Sequence, residues 1–412
     1  MKPLPMRLAI AGCFSLSGKQ TMAVRALPLA AELAARGHSV LMALPLRAID
    51  EKPGSPAAGG VSIRYFPRAG WLPERLAEPA QALRMAVACL RWRPTVLYVF
   101  KPIAHSWVVL FVFWLLRRLT FYRGALVLDT DDWEGKGGWN DRQPFSPWVK
   151  RLIGWQEGWS LAHADLVTVA SRTLEEMAAS RASRRPLYLP NAVAASSAGL
   201  LAPRGMVSRA SLGLRRDQPV VLAYTRFVEF SPHRMLRALE AIRELEPSAV
   251  LLVVGTGLAG EDAVFEKVAK EKGLWPNIRV AGWVGSDALP DYFALADVAL
   301  YLLDDTLLNR AKCPMKLLDL MAAGVAVVAD GVGQAREYLE DGGSGVVVSP
   351  EDTEAMAAAA VRLLKNAEER TAMGERAARA ARTAWSWSRW ASAVEKALLQ
   401  VEEDAISTVG RP

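Results

Sequence analysis

Cysteine and histidine are scarce in this sequence of 412 residues, which contains three cysteines and four histidines. Cys13, Cys89 and Cys313 lack the spacing of metal-binding or redox motifs, so neither a structural zinc site nor a disulfide framework is expected. Long hydrophobic runs are missing as well: the longest, Trp107–Leu116, has ten residues, whereas a membrane-spanning helix needs roughly 20. These absences favour a cytoplasmic protein, with attachment to the inner face of the membrane left open.

Positive charge is distributed unevenly along the chain. The net charge is +7, but residues 1–190 carry 25 Lys and Arg against 14 Asp and Glu, whereas residues 191–412 carry 25 against 29. The excess in the first half predicts contact with an anionic partner. Nucleic acid is not expected, because the arginines are scattered and no nucleic-acid-binding motif is present. A membrane surface or a lipid phosphate is the better match.

The segment Trp107–Arg123 is the candidate for a membrane contact. Its apolar run contains two tryptophans and is followed by three arginines, a combination typical of a helix that lies in a membrane interface. A helix buried against a sheet explains the same run, so the sequence leaves both interpretations open.

Short apolar runs alternate with helical patterns throughout, which predicts an α/β fold with doubly wound parallel sheets. The length suits two domains. We expect a first domain over residues 1–190, a second over 206–382, and a helix over 383–412. The predicted strands are Arg7–Ala11, Ser39–Ala43, Thr95–Phe100, Leu126–Asp129, Leu166–Val169, Val220–Tyr224, Ala249–Gly255, Ile278–Gly282, Val298–Leu302, Ala326–Ala329 and Gly345–Val348.

A short helix is predicted after Pro314, a residue that suits the first turn because its missing N–H is not needed there. Lys316 and Asp319 are three residues apart and therefore share one face of this helix. A helix N-terminus with an added lysine suits a phosphate, and a carboxylate can accept hydrogen bonds from ribose hydroxyls. The segment is thus a candidate nucleotide site.

This segment resembles the nucleotide-sugar signature of the retaining GT-B glycosyltransferases of family 4, in the variant Pro-x-Lys-x-x-Asp. The first signature glutamate, which in the family touches the donor sugar, would fall on Ala311 and is missing. The resemblance implies two Rossmann-like domains facing a cleft, with the second domain binding the donor. It also implies that the C-terminal helix crosses back onto the first domain.

Other residues are assigned to donor binding by the same resemblance. Arg226 matches an arginine that contacts the diphosphate, and the family lysine five residues later is replaced by Ser231, so that contact is lost or moves to His233 or Arg234. The remaining donor-binding candidates are Gly18, Gly257, Trp283 and Val284. Gly257 lies in Gly255–Gly260, which also matches a dinucleotide fingerprint; a dehydrogenase is disfavoured because no acidic residue ends the next strand.

The polar loop Asp129–Asn140 follows an apolar strand, at the edge where open α/β sheets bind ligands. The position resembles the family's first-domain Asp/His loop, which faces the donor sugar and acceptor, and the resemblance assigns Asp131 or Asp132 to that role. His105, after the neighbouring strand, is a further catalytic candidate. Two acids one residue apart also resemble the metal-binding motif of GT-A transferases. That alternative ranks lower, since the nucleotide candidate lies in the second domain, and no metal or cofactor is expected.

The predicted function is transfer of a sugar, with retention, from a nucleoside-diphosphate sugar to a saccharide or polyprenyl-linked acceptor in cell-envelope polysaccharide or glycolipid synthesis. Arg226 and Lys316 would neutralise the charge that develops on the leaving diphosphate. Two alternatives from other classes stay open: a GT-B epimerase acting on a nucleotide sugar, and a nucleotide-sugar-binding protein impaired in catalysis because of Ala311.

Overall fold

The computed structural model describes residues 4–16, 21–46, 54–55, 57–194, 203–340 and 343–408. The chain divides into two compact units. The first comprises Met1–Asn191, Ala311–Cys313 and Trp387–Pro412, and the second comprises Ala192–Arg310 and Pro314–Ser386. The main segment of the first unit ends at Asn191, where the boundary predicted from the sequence is residue 190.

The first unit is built on one sheet whose central strands are buried on both faces. Its strands are β1 (Arg7–Gly12), β2 (Ser39–Pro45), β3 (Ala57–Ala58), β4 (Val61–Phe66), β5 (Val96–Phe100), β6 (Ala125–Thr130), β7 (Leu166–Val169) and β8 (Leu187–Tyr188). Over the described residues their order is β3-β4-β2-β1-β5-β6-β7-β8, and only the β3–β4 pair is antiparallel. Buried parallel strands read as continuous apolar runs, which is why most of them were visible in the sequence.

Helices cover both faces of this sheet. A π-helical turn over Met22–Ala26 leads directly into the first α-helix. The helices of this part are α1 (Leu27–Ala35), α2 (Glu74–Arg91), α3 (Ala104–Arg118), α4 (Trp139–Arg142), α5 (Pro147–His163) and α6 (Arg172–Ala179). Helix α3 packs against α2 and against α5, so these three helices are neighbours.

The second unit repeats the same architecture. Its strands are β9 (Val220–Tyr224), β10 (Val250–Val254), β11 (Ile278–Gly282), β12 (Val298–Tyr301), β13 (Val327–Asp330) and β14 (Val346–Val348). They form a sheet in the order β11-β10-β9-β12-β13-β14, in which each described pair is parallel. Its helices are α7 (Pro232–Leu245), α8 (Glu261–Glu271), α9 (Leu289–Leu295), α10 (Leu307–Ala311), α11 (Met315–Ala322), α12 (Gln334–Glu340), α13 (Thr353–Lys365) and α14 (Ala367–Thr383).

The last helix, α15 (Trp387–Thr408), belongs to the first unit and packs on α1. Trp387 is fully buried, and Glu395 lies 3.1 Å from Nη1 of Arg36 and 2.9 Å from Nε2 of His38. Nδ1 of His38 accepts a hydrogen bond from the Met6 amide, so this histidine serves the structure of the turn after α1.

The predicted α/β fold with doubly wound parallel sheets is confirmed in both units. The C-terminal region consists of three separate helices, α13, α14 and α15. In the described part of the chain, no helix is both long enough and apolar enough to cross a membrane.

Candidate functional site

The polar loop predicted to face the ligands begins at a buried ion pair. The guanidinium of Arg25, in the π-helical turn, donates to both carboxylate oxygens of Asp129 at 2.7 Å each. Both side chains are fully buried, and Arg25 also donates to Oδ1 of Asn191. Asp129 is therefore held by protein groups below the loop, and the ligand-facing candidates are the carboxylates that follow it.

Lys101 is the cation around which the carboxylates of the polar loop are arranged. It directly follows β5, and its Nζ lies 3.1 Å from Oδ1 of Asp131, 2.9 Å from Oδ2 of Asp132 and 2.8 Å from Oε1 of Glu134. The lysine is buried, with 5% of its surface exposed, and its φ of 69° is in the left-handed region. One buried cation thus gathers three carboxylates at the carboxyl ends of β5 and β6.

Charge neutralisation decides the protonation of this cluster. Burial alone lowers the pKa of Lys101, but Asp131, Asp132 and Glu134 outweigh it and raise that pKa well above its usual value. Burial alone raises the pKa of Asp131, but Lys101, Arg25 and a hydrogen bond from Thr21 lower it below its usual value. The lysine is therefore charged and Asp131 ionised at neutral pH.

Both predicted aspartates are brought to one place, with different exposure. The Asp132 side chain is 22% exposed, whereas that of Asp131 is 10% exposed and also accepts a hydrogen bond from Thr21. Across the described residues, no group of three or more His, Cys, Asp or Glu side chains is positioned to hold a metal ion. In this arrangement both aspartates accept hydrogen bonds or ion pairs from protein groups, and their role toward a ligand stays a prediction.

Glu157 lies beneath the same loop, on α5. It is 1% exposed, and its Oε1 accepts a hydrogen bond from the amide of Glu134 at 2.9 Å. Burial, together with the nearby Glu134 carboxylate, raises the pKa of Glu157 to about 8. The side chain is therefore mainly neutral at pH 7, and it supports the backbone of the loop without adding charge.

His105 is buried in the first turn of α3. Its Nε2 lies 2.9 Å from Oε1 of Gln81, whose amide nitrogen donates to the carbonyl oxygens of Leu46 and Phe66. Those carbonyls fix the orientation of the Gln81 amide, so His105 Nε2 must be the donor in this contact. The contact connects α3 to α2 and gives His105 a structural function; its catalytic role stays a prediction.

In the second unit, one of the predicted nucleotide residues, Lys316, lines a small recess. It lies at the carboxyl ends of β9 and β12. Its polar lining is formed by Tyr224, Thr225, Glu229, Tyr301 and Lys316, and its apolar lining by Ala223, Phe230, Met235, Leu300 and Leu302. Parallel α/β sheets bind ligands at this edge.

Lys316 and Arg226 supply cations at this recess. Nζ of Lys316 lies 5.1 Å from the centre of the Tyr224 ring, and Nη2 of Arg226 lies 3.2 Å from Oε1 of Glu229. The Arg226 side chain is 42% exposed, so it is accessible to a ligand, whereas Glu229 is buried. Helix α11 begins at Met315, so Pro314 is its N-cap rather than a residue of the first turn.

Asp319 lies one turn after Lys316 on α11 and is half-buried. Its carboxylate is close enough to Tyr301 to raise the pKa of that phenol, although burial is the larger cause. Lys316 and Tyr301 line the recess, and Asp319 lies near Tyr301.

Arg234 does not take the place of the missing family lysine. It is 4% exposed, and its guanidinium donates to Asp304 at 2.7 Å and to both oxygens of Asp330 at 3.0 Å. Asp330 also accepts from the amide of Leu303. Arg234 therefore connects the loops that follow β12 and β13, and of the two residues considered only His233 stays a candidate for the phosphate contact.

The remaining donor-binding candidates are in loops. Gly257 lies against the start of α8, where a Cβ would be 2.9 Å from the Glu261 amide nitrogen, so the close approach alone explains this glycine. Trp283 is 78% exposed and Val284 is half-buried after β11. Gly18 lies outside the described residues, and its assignment stays a prediction.

Sequence reasoning did not assign functions to Lys101 or Glu157. The signal for Lys101 was a lysine directly after an apolar strand; the signal for Glu157 was a single acid on an apolar helix. Neither pattern identifies the groups that these side chains contact. The carboxylates that contact Lys101, for example, are about thirty residues away in the sequence.

Two family models match the chain. Residues 20–192 match a glycosyl transferase 4-like domain, and residues 207–380 match glycosyl transferases group 1. Among curated proteins, the chain is 30% identical over 174 residues to the GDP-mannose-dependent alpha-(1-6)-phosphatidylinositol monomannoside mannosyltransferase of Mycolicibacterium smegmatis, covering 42% of this chain and 45% of that protein. It is 27% identical over 408 residues to the D-inositol 3-phosphate glycosyltransferase of Saccharomonospora viridis, covering 92% and 88%. The chain thus spans about half the length of the first relatives it matches.

Solved structures of low sequence identity share the fold. Sucrose-phosphate synthase from Thermosynechococcus elongatus superposes with a TM-score of 0.72 at 19% identity, over 96% of this chain and 99% of that one. HepE from Anabaena, in complex with UDP and glucose, gives a TM-score of 0.67 at 16% identity, over 95% and 99%. These likenesses confirm the predicted GT-B architecture.

Proposed function

We propose that this chain, which belongs to the GT-B glycosyltransferases, transfers a sugar with retention from a nucleoside-diphosphate sugar to a saccharide or lipid-linked acceptor. The observation that carries the proposal is the second-unit recess, where Lys316 and Arg226 lie at the carboxyl ends of β9 and β12. The recess belongs to the segment that matches glycosyl transferases group 1.

The leaving group of such a reaction is a nucleoside diphosphate, so the enzyme must neutralise negative charge as the glycosidic bond breaks. Arg226 can bind two phosphate oxygens through its planar guanidinium, and Lys316 adds a point charge beside the start of α11. Positioned cations of this kind are worth about 3–4 kcal/mol each in the transition state. We expect no metal requirement, because these cations take over its usual charge-neutralising role.

Donor recognition is assigned to residues around the same recess. Asp319 is proposed to accept hydrogen bonds from the ribose, and the backbone of Trp283 and Val284 to face the base. The relative from Mycolicibacterium smegmatis is named for GDP-mannose, and the HepE structure holds UDP. Both nucleotides are therefore the first to be tested as donors.

The acceptor is assigned to the polar loop of the first unit. Asp132 is the more exposed of the two aspartates, so it is the one proposed to accept a hydrogen bond from the attacking hydroxyl, with Asp131 as its neighbour. The phosphatidylinositol mannoside in the name of the first relative supports a lipid-linked saccharide. A role in cell-envelope glycolipid or polysaccharide synthesis on the cytoplasmic side is part of this proposal.

The central test replaces Lys316 with alanine. With the donor identified from GDP and UDP sugars, Lys316→Ala should lower kcat/KM by about 100-fold or more, because a positioned cation is lost from the transition state. Lys267→Ala is the matched control, since Lys267 is an exposed lysine of the same unit, on α8. Asp319→Ala should mainly raise the KM for the donor.

Two results would contradict the assignment. Full activity of Lys316→Ala, with normal donor affinity, would remove α11 from the site. Consumption of the nucleotide sugar without any acceptor, giving an isomeric sugar, would instead assign the chain to the epimerases.

A further inference from the structure

Exposed apolar side chains are concentrated on one part of the first unit. Twelve of the twenty large apolar side chains that are exposed among the described residues lie between Trp71 and Trp155. Scattered apolar residues are normal on a protein surface, but a contiguous group is not. These exposed apolar side chains therefore suggest a surface that a partner covers.

Helix α2 presents one continuous apolar stripe to solvent. Leu76, Leu83, Val87 and Leu90 follow one another at intervals of seven, four and three residues, and they are 54%, 49%, 46% and 37% exposed. The opposite side of the helix is also apolar and is buried against the first unit, as Met85 illustrates. A surface helix normally has a polar outer side, so α2 departs from that rule.

Helix α5 presents a second stripe of the same kind. Trp148, Leu152 and Trp155 recur at intervals of four and three residues, and they are 66%, 39% and 52% exposed. The Trp155 ring also contacts the ring of Trp107 on α3, with centres 5.4 Å apart. Because α3 packs on both α2 and α5, the three helices form one surface, called here the α2–α3–α5 face.

The segment Trp107–Arg123, for which the sequence left a membrane contact and a buried helix open, is partly packed within the protein. The rings of Trp107 and Trp114 pack against Trp159 of α5, with centres 5.9 Å and 5.4 Å apart, and both tryptophans are half-buried. Helix α3 is therefore the central helix of the face. The two flanking helices carry most of its exposed apolar surface.

Positive charge surrounds these apolar stripes. The three helices contain seven cations, Arg75, Arg84, Arg91, Arg117, Arg118, Lys150 and Arg151, and three acids, Glu74, Glu78 and Glu157. Glu157 is buried and does not face solvent. On α2, Arg75, Arg84 and Arg91 each directly neighbour a leucine of the stripe.

We propose that the α2–α3–α5 face docks the protein on an anionic lipid bilayer. Tryptophan and leucine side chains would enter the boundary between headgroups and acyl chains, and arginines would contact lipid phosphates. A second copy of this chain is a less favourable occupant, because two such faces would bring like charges together. The inference does not depend on the donor or on the reaction proposed above.

Flotation of the full-length chain with lipid vesicles tests this inference. Vesicles of phosphatidylcholine with phosphatidylglycerol should carry the protein at low salt, and high salt or pure phosphatidylcholine should reduce binding at least tenfold. Trp148→Gln with Trp155→Gln, and separately Leu83→Gln with Leu90→Gln, should each reduce vesicle affinity at least tenfold. The melting temperature of each variant is measured as well, because Trp155 packs on Trp107 and only a folded variant tests the face.

Leu245→Gln with Leu258→Gln is the matched control, because both leucines are exposed in the second unit, 52% and 61%. This variant should bind vesicles as the wild type does. The inference is overturned if the wild-type chain fails to bind anionic vesicles at low salt, or if both face variants still bind. It is also overturned if light scattering shows a lipid-free dimer that the face variants abolish, since a second copy would then be the occupant.

Discussion

Replacing Lys101 with methionine should destabilise the first unit strongly. The substitution keeps the length of the side chain and removes the charge that neutralises Asp131, Asp132 and Glu134, whose oxygens lie 2.8–3.1 Å from Nζ. Three carboxylates would then remain close together in a place where the lysine itself is 5% exposed.

The magnitude follows from the burial of the cation. Removing one partner of a buried ion pair costs about 3–5 kcal/mol, because the other charge is left uncompensated. For a unit of about 200 residues, each kcal/mol lowers the melting temperature by about 2–4 °C, so a decrease of about 6–20 °C is expected.

The effect should depend on pH in a defined direction. The raised pKa of Lys101 means that its contribution to stability is present below the usual lysine pKa of about 10.4 and is lost as the pH rises through the higher value. The lowered pKa of Asp131 means that its contribution is present above about pH 3.9 and is lost as the pH falls. The deficit of the variant should therefore be largest between about pH 4 and about pH 10, where Lys101 is charged and Asp131 is ionised, and it should shrink at lower pH as Asp131 becomes protonated.

Thermal unfolding of the wild type, Lys101→Met and Lys136→Met at several pH values measures this effect. Lys136 is an exposed lysine of the same loop, so its substitution should change the melting temperature little. If Lys101→Met unfolds at the wild-type temperature at pH 7, or if its deficit grows as the pH falls, the account of this cluster is wrong.

Two further predictions concern a buried acid and a buried turn. Glu157→Gln should be more stable than the wild type at pH 8 by a few kcal/mol and equally stable near pH 4. The reason is that the pKa of Glu157 in the folded state is about 8, so the wild type loses stability as the pH rises from about 4.3. Denaturation at several pH values measures the difference, and Glu176→Gln, at an exposed position, is the control. Gly255→Ala should lower stability and donor affinity together, because its Cβ would lie 1.9 Å from the Thr225 carbonyl oxygen. Gly260 also has a positive φ, but a Cβ there would meet no other atom, so Gly260→Ala measures the backbone strain without the clash. Equal melting temperatures for the two variants would contradict the predicted clash at Gly255.

The fold was largely predictable because its central strands are buried on both faces. The ends of β7, β9 and β11 were predicted correctly. For β7 and β9 the reason is a short, mainly apolar run bounded by turn signals. Strand β4 was missed because Ser62 and Arg64 are exposed and interrupt the apolar pattern near the edge of the sheet. Strand β8 has two residues, too few to form a pattern.

The sequence predicted where the candidate sites lie, but not which ion pairs hold their residues in place. A strand end identified Asp131 and Asp132, because the sheet edge is fixed by the order of strands and helices, and the family resemblance identified Arg226. The ion pairs of Lys101 and Arg234 depend on contacts between distant segments, and no local spacing encodes them. The sequence did not predict the exposed apolar stripes of α2 and α5 for a related reason, because the side of a helix that faces solvent depends on how the helix packs on the sheet.

The charge of the first half of the chain is opposite in sign to the charge of its candidate site. Residues 1–190 have an excess of 11 positive charges, yet their polar loop gathers three carboxylates around Lys101 alone. Residues 191–412 have an excess of four negative charges, yet Arg226 and Lys316 bring cations to their recess. A diphosphate requires such cations, and Glu229 and Asp319 lie beside them. The excess positive charge of the first half therefore lies outside its polar loop. The arginines beside the stripe of α2 assign that charge to the binding of an anionic surface rather than of the reacting sugars.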